Sequence, residues 1–104
     1  MSFPKILYRA KTPLELVHTD IFGTPRMSSL NDNRYFILFI DDHTRMIWIY
    51  FLKQKSKVFS TFLKFKAIVE SQNRYKLKIL HTDRRGEYIS NEFQDYCKQV
   101  GIKR

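Results

Sequence analysis

A chain of 104 residues with 43% hydrophobic and 15% aromatic content has material for one small folded domain, which excludes both a disordered chain and a two-core protein. Its 19 Lys+Arg outnumber 10 Asp+Glu for a formal charge of +9; residues 1–52 hold six basic and five acidic side chains, residues 53–104 thirteen and five. The single Cys97 excludes an internal disulfide and a multi-cysteine zinc site, and no apolar run approaches the ~18 residues of a membrane span.

Residues 1–13, with Pro4 and Pro13 among scattered basic side chains, are predicted as an extended lead-in to a domain over 14–104. A first strand is expected at about Glu15 to Ile21, closing on His18-Thr19-Asp20. Turn-forming residues run from Gly23-Thr24-Pro25 to Asn31-Asp32-Asn33. Tyr35 to Ile40 and Met46 to Leu52 are dense in aromatic and β-branched residues, and Asp41-Asp42-His43-Thr44 joins them as a hairpin. Trp48, Tyr50 and Phe51 are expected in the core.

Ser56 is expected to cap a helix running to about Gln72, with Val58, Phe59, Phe62, Phe65 and Val69 at helical spacing and Lys57, Lys64 and Lys66 on its other face. A second strand, Lys76 to Leu80, ends on His81-Thr82-Asp83, and Arg84-Arg85-Gly86 forms a turn. Ser90 caps a last helix with Phe93, Tyr96, Cys97 and Val100 on one face and Gly101 at its stop. Cys97 is read as a small core residue.

The order is β-β-β-α-β-α, an α/β mixed sheet in which a right-handed crossover lays the strand of the second His-Thr-Asp parallel to an earlier one. Strand side chains alternate faces, so Leu14, Leu16, His18 and Asp20 share one face of their strand, and Leu77, Ile79, His81 and Asp83 share one face of theirs. If the strands lie parallel and in register, Asp20 and Asp83 emerge together. Two carboxylates at strand ends form a divalent-metal phosphotransfer site; the plain alternative is two turn-forming aspartates. A field of +9 favours a polyanion, most often nucleic acid, against the alternative of a merely soluble basic surface. Lys76, Lys78, Arg84 and Arg85 are the candidates for phosphate contacts. His18 and His81 are expected to pack at the core edge or to hydrogen-bond locally, and Asp41-Asp42 to serve the hairpin.

Leu14-Glu15-Leu16-Val17-His18-Thr19-Asp20, Arg34-Tyr35-Phe36, Phe39-Ile40-Asp41-Asp42, Trp48-Ile49-Tyr50-Phe51-Leu52-Lys53 and Thr82-Asp83-Arg84-Arg85-Gly86-Glu87-Tyr88 together resemble the integrase core of copia-type LTR retrotransposons. The resemblance covers about residues 3–104. It implies an RNase H-like fold, truncated here, with the fifth strand and later helices missing. It also implies a polynucleotidyl transferase, dependent on Mg²⁺ or Mn²⁺, that joins element DNA to target DNA. Asp20 matches the family's first catalytic Asp and Asp83 its second. The family's third acid, a Glu, lies further along than the 21 residues that follow Asp83, and Glu87 is not its substitute. The family usually has Asn-Gly-Gly where this chain has Arg84-Arg85-Gly86, two cations that oppose metal binding.

The chain is therefore expected to be part of an integrase core, catalytically incomplete on its own, with DNA as partner and self-association possible. The alternative is a basic nucleic-acid-binding or dimerising remnant without catalysis. The start, Met1 to Lys11, lacks a secretory h-region, so the protein is expected to be intracellular, and nuclear in the intact integrase. Apolar surface and an unpaired strand edge left by the missing elements predict aggregation.

Overall fold

Two apolar pairs around His18-Thr19-Asp20 make the first strand, aromatic-rich runs make the next two, and all three meet in one sheet. The computed structural model describes residues 9–23, 34–82 and 89–104. Its elements are β1 (Leu16–Gly23), β2 (Tyr35–Asp41), β3 (Ile47–Leu52), α1 (Val58–Gln72), β4 (Ile79–Thr82) and α2 (Asn91–Val100). The sheet order is β3-β2-β1-β4. β1 pairs antiparallel with β2, β2 antiparallel with β3, and β4 parallel with β1. The predicted order and the parallel return of the chain are both observed.

Both helices lie on one side of the sheet. Phe65 of α1 stacks on Phe39 of β2 with ring centroids 4.1 Å apart and planes within 6°, and meets Trp48 of β3 edge-on at 5.2 Å. Phe93 of α2 packs on Phe62 of α1 at 4.6 Å. Val17, Ile21, Ile37, Phe39, Leu52, Phe62, Phe65, Val69, Leu80 and Cys97 complete this core. Cys97 is a buried core residue, as its spacing predicts. Val100, predicted on the same face, is 45% exposed at the end of α2.

The opposite face of the sheet carries three cross-strand rows. They read Phe22–Phe36–Phe51, Asp20–Leu38–Ile49 and His18–Ile40–Ile47 across β1, β2 and β3. Ile47, Ile49 and Phe51 are more than half exposed. Phe51 therefore does not belong to the core: in a strand its side chain points away from those of its neighbours Tyr50 and Leu52. Trp48 and Tyr50, on the helix side, are half-buried against the core. The exposed apolar surface expected from sequence is present on this face.

Strand alternation stops short of Leu14. Its φ is +66°, an uncommon left-handed conformation for a branched residue, and its N–H donates to Asp41 Oδ1 at 3.0 Å. Leu14 thus packs in the helix-side core, while Leu16 faces the other way with His18. Leu77 also lies in the helix-side core, ahead of the first residue of β4. The expected four-residue faces hold only from Leu16 and from Ile79 onward.

Ser56 does not cap α1. A single 3-10 turn, Lys55–Lys57, precedes the helix; Lys57 holds the capping position without a side-chain bond, and Ser56 Oγ donates to Gln54 Oε1 instead. Lys66, expected on the outer face of α1, is half-buried and donates to Glu70 Oε1 at 2.9 Å. Burial presses its ammonium pKa downward, but the Glu70 carboxylate outweighs this and holds it above the ordinary lysine value. Ser90 does cap α2, its Oγ accepting from Phe93 N–H at 3.1 Å.

Gly101 closes α2 at φ +79°, its N–H bonded to the Lys98 and Cys97 carbonyls. A Cβ there would meet nothing within 4 Å. Gly101→Ala is therefore expected to cost only the left-handed backbone term, about 1–2 kcal/mol, read as a lower urea midpoint at unchanged slope. Beyond Gly101 the chain reaches β4, where Ile79 and Lys103 form a parallel bridge. Lys103 N–H donates to the Lys78 carbonyl at 2.9 Å and Leu80 N–H to the Lys103 carbonyl at 2.8 Å. The β4 edge expected to be unpaired is occupied at this point.

Candidate metal and nucleic-acid site at two strand ends

The His-Thr pairs of the two His-Thr-Asp runs lie side by side. In the parallel pairing of β1 with β4, His18 stands opposite His81 and Thr19 opposite Thr82. The next step of that register leads from Asp20 to Asp83, which lies outside the described residues together with Arg84, Arg85 and Glu87. Asp20 is only 1% exposed, and its Oδ1 accepts from the Ile21 N–H at 2.9 Å.

His18 and His81 do more than pack at a core edge. His18 is buried, with Nε2 3.0 Å from Asp42 Oδ1 and Nδ1 3.3 Å from His81 Nδ1. Neither bond is local, since the partners lie 24 and 63 positions away in sequence. The two imidazoles meet edge to face at 5.3 Å.

Asp41 and Asp42 part company in role. Asp41 serves the hairpin, its Oδ2 accepting from Thr44 Oγ1 at 2.7 Å and from Thr44 N–H at 3.2 Å. Asp42 is buried, faces His18 and accepts from Ala10 N–H at 2.8 Å, a part that sequence reasoning missed. The signal lay in the β1–β2 register: Val17 pairs with Asp41, so Asp42 falls opposite Leu16 and diagonal to His18 on the same face.

Burial pushes the Asp42 carboxyl pKa up, but the hydrogen bonds from Ala10 and His18, with the charges of His18 and Arg45, hold it below the ordinary 3.8. A carboxylate with a depressed folded value stabilises the fold above its unfolded value, and that contribution disappears as pH falls through the folded value. The loss of thermal stability caused by Asp42→Asn is therefore expected to be full near neutral pH and to shrink below about pH 4, measured by melting curves across pH. A difference that does not shrink at all as pH falls below about 4 counts against this ionised role.

Asp20 offers hard carboxylate oxygen. Both ring nitrogens of His18 are taken up by protein partners, so the donors at these strand ends suit Mg²⁺ or Mn²⁺ rather than a nitrogen- and sulfur-seeking ion. Among the described residues, no group of three or more His, Cys, Asp or Glu is placed to hold a metal. Of the basic candidates, Lys76 and Lys78 are exposed on the approach to β4. Lys103, missed from sequence, shares a surface cleft with Lys78, Glu15 and Ile79. Only the bridge to β4 brings it there.

The sequence profile of the integrase core domain matches residues 10–104. The chain belongs to the integrase core domain family. It is 44% identical over 103 residues, 99% of the chain, to the retrovirus-related Pol polyprotein of transposon TNT 1-94 from Nicotiana tabacum. It is 39% identical over 102 residues, 98% of the chain, to that of transposon RE2 from Arabidopsis thaliana. The chain spans 8% and 7% of these polyproteins.

In three dimensions this integrase core is similar to the HTLV-2 integrase catalytic core domain solved in complex with magnesium as a dimer. That match has TM-score 0.70 and 18% identity over 91% of this chain and 61% of the other. A chain of the simian T-cell lymphotropic virus intasome matches at TM-score 0.73 and 20% identity, over 98% of this chain and 35% of the other. At these identities the likeness concerns the fold, which is the RNase H-like mixed sheet expected from sequence. No helix among the described residues is long and apolar enough to cross a membrane.

Proposed function

We propose that this integrase core belongs to a DNA strand-transfer machine, with Asp20 and Asp83 as the carboxylates that hold a divalent metal. The in-register pairing of His18 with His81 and Thr19 with Thr82 supports the reading, because the same register continued by one residue would bring the two aspartates side by side. The magnesium-bound HTLV-2 core supports the choice of ion. When bound, Mg²⁺ or Mn²⁺ would polarise a phosphodiester and the hydroxyl that attacks it.

The chain's own residues do the rest. Asp20 and Asp83 hold the ion at the sheet's end, and Lys76, Lys78, Arg84 and Arg85 contact phosphates and set the register of the DNA. Arg84 and Arg85, next to Asp83, weaken the metal while favouring DNA. With two of the family's three acids, the 104-residue chain alone binds metal weakly and does not turn over. Self-association in the manner of the dimeric viral core belongs to the same reading.

The test pairs a strand-transfer assay on an oligonucleotide end with DNA binding measured across salt. The expected result is no turnover by the isolated chain, with binding whose logarithm falls linearly with that of salt. Mg²⁺-dependent turnover abolished by Asp20→Asn would overturn the inactivity and establish catalysis. DNA binding that survives Asp20→Asn and Asp83→Asn, without any metal binding, would favour the non-catalytic remnant instead.

A further inference from the structure

A buried carboxylate in the hairpin, a buried histidine on β1 and a half-exposed one on β4 form a hydrogen-bonded line, Asp42–His18–His81. The line crosses three chain segments on one face of the sheet, with its two histidines in the row next to Asp20 and Asp42 one row beyond. We propose that Asp42 is a positioning residue for Asp20: through His18 it fixes one arrangement of the imidazole protons, and that arrangement clamps β4 to β1 beside Asp20. The inference rests on the reading of Asp20 and Asp83 as metal-holding residues.

The proton positions follow from what each atom can do. An ionised carboxylate only accepts, so both groups facing Asp42 must donate: Ala10 N–H at 2.8 Å to Oδ2 and His18 Nε2–H at 3.0 Å to Oδ1. With one proton on the ring, His18 Nδ1 is then left as an acceptor. It faces His81 Nδ1 at 3.3 Å, and one N–H must lie between them. That proton belongs to His81. The two rings are thus held as opposite tautomers, His18 with its proton on Nε2 and His81 on Nδ1, and Asp42 decides both.

An asparagine at position 42 keeps the shape and reverses the logic. Its two terminal atoms are one acceptor and one donor. The Ala10 N–H is a backbone donor and cannot turn round, so it claims the Asn carbonyl oxygen. The Asn NH₂ then faces His18 and forces Nε2 to accept. His18 must carry its proton on Nδ1 and donate to His81, whose proton moves to Nε2. The whole line inverts, and the clamp is rebuilt with its donors reversed.

The experiment uses the 104-residue chain labelled with ¹⁵N, recording long-range imidazole correlations near neutral pH in the parent and in Asp42→Asn, together with Mn²⁺ titration by electron paramagnetic resonance. The expected parent spectrum shows His18 protonated at Nε2 and His81 at Nδ1. In Asp42→Asn both assignments exchange, and Mn²⁺ affinity falls by about tenfold or more, the usual effect of losing a partner that orients a metal site. Superimposable imidazole spectra in parent and variant overturn the proposal, as does inversion with unchanged Mn²⁺ affinity. Should the variant not fold, a parent spectrum with both rings in the same tautomer overturns it alone. A parent with no Mn²⁺ affinity overturns the metal-site reading instead, and the imidazole spectra then decide the clamp by themselves.

Discussion

Asp20→Asn is expected to remove the response of this integrase core to Mn²⁺ while leaving its metal-free fold in place. The variant keeps the size of the side chain, and the amide oxygen still accepts the Ile21 N–H that Oδ1 accepts at 2.9 Å. What it loses is the negative charge on a 1% exposed group. A ligand that binds only the folded state stabilises it by RT ln(1 + [L]/Kd), so even a weak site at tenfold saturation gains about 1.4 kcal/mol. For a domain of this size that is a rise in Tm of roughly 6–10 °C. Mn²⁺ is expected to raise the parent's Tm on this scale and to leave Asp20→Asn unmoved, in paired thermal melts. Equal shifts in both proteins would remove Asp20 from the metal site.

The second large effect is on stability. Phe65 is fully buried, stacked on Phe39 at 4.1 Å and edge-on to Trp48 at 5.2 Å. It joins α1 to β2 and β3 in one contact. Phe65→Ala removes the burial of a large side chain and leaves a cavity that close-packed neighbours only partly fill, about 3–5 kcal/mol. Against a total stability of about 5–15 kcal/mol, this lowers the urea midpoint by at least about 1 M. Phe51→Ala is the control. Phe51 is 52% exposed on the face away from the helices, and its loss is expected to cost no more than about 0.5 kcal/mol. If the two substitutions cost the same, the assignment of helix side and open side is wrong.

The sequence made the order of elements, the crossover and the parallel pairing of His18-Thr19 with His81-Thr82 legible, because each rests on local periodicity and on the handedness of a βαβ connection. Ser90 and Gly101 were legible for the same reason: a cap is decided within one turn of helix. Asp42 was not. Its role depends on the β1–β2 register that carries it to His18, and two adjacent aspartates before a turn look alike until that register is known. Phe51 was misjudged because a run such as Trp48 to Leu52 is apolar on both faces, and composition cannot say which face the helices cover. The left-handed Leu14, held by Asp41, shifted the start of the alternation by a step no propensity announces. Ser56 failed as a cap because it lies inside a 3-10 turn, which moves the capping position to Lys57.

The pairing of β1 with β4 also sets when the site can exist. Asp20 and Asp83 are separated by 62 residues, a stretch that contains the hairpin and the whole of α1. Closing so long a span yields nothing until its ends meet, and contacts of this kind dominate slow folding. His18-Thr19 and His81-Thr82 therefore come together only after the hairpin and α1 have formed the surface on which β4 settles. A half-folded chain holds the two His-Thr runs far apart, and the docking of β4 on β1 marks the last step of folding.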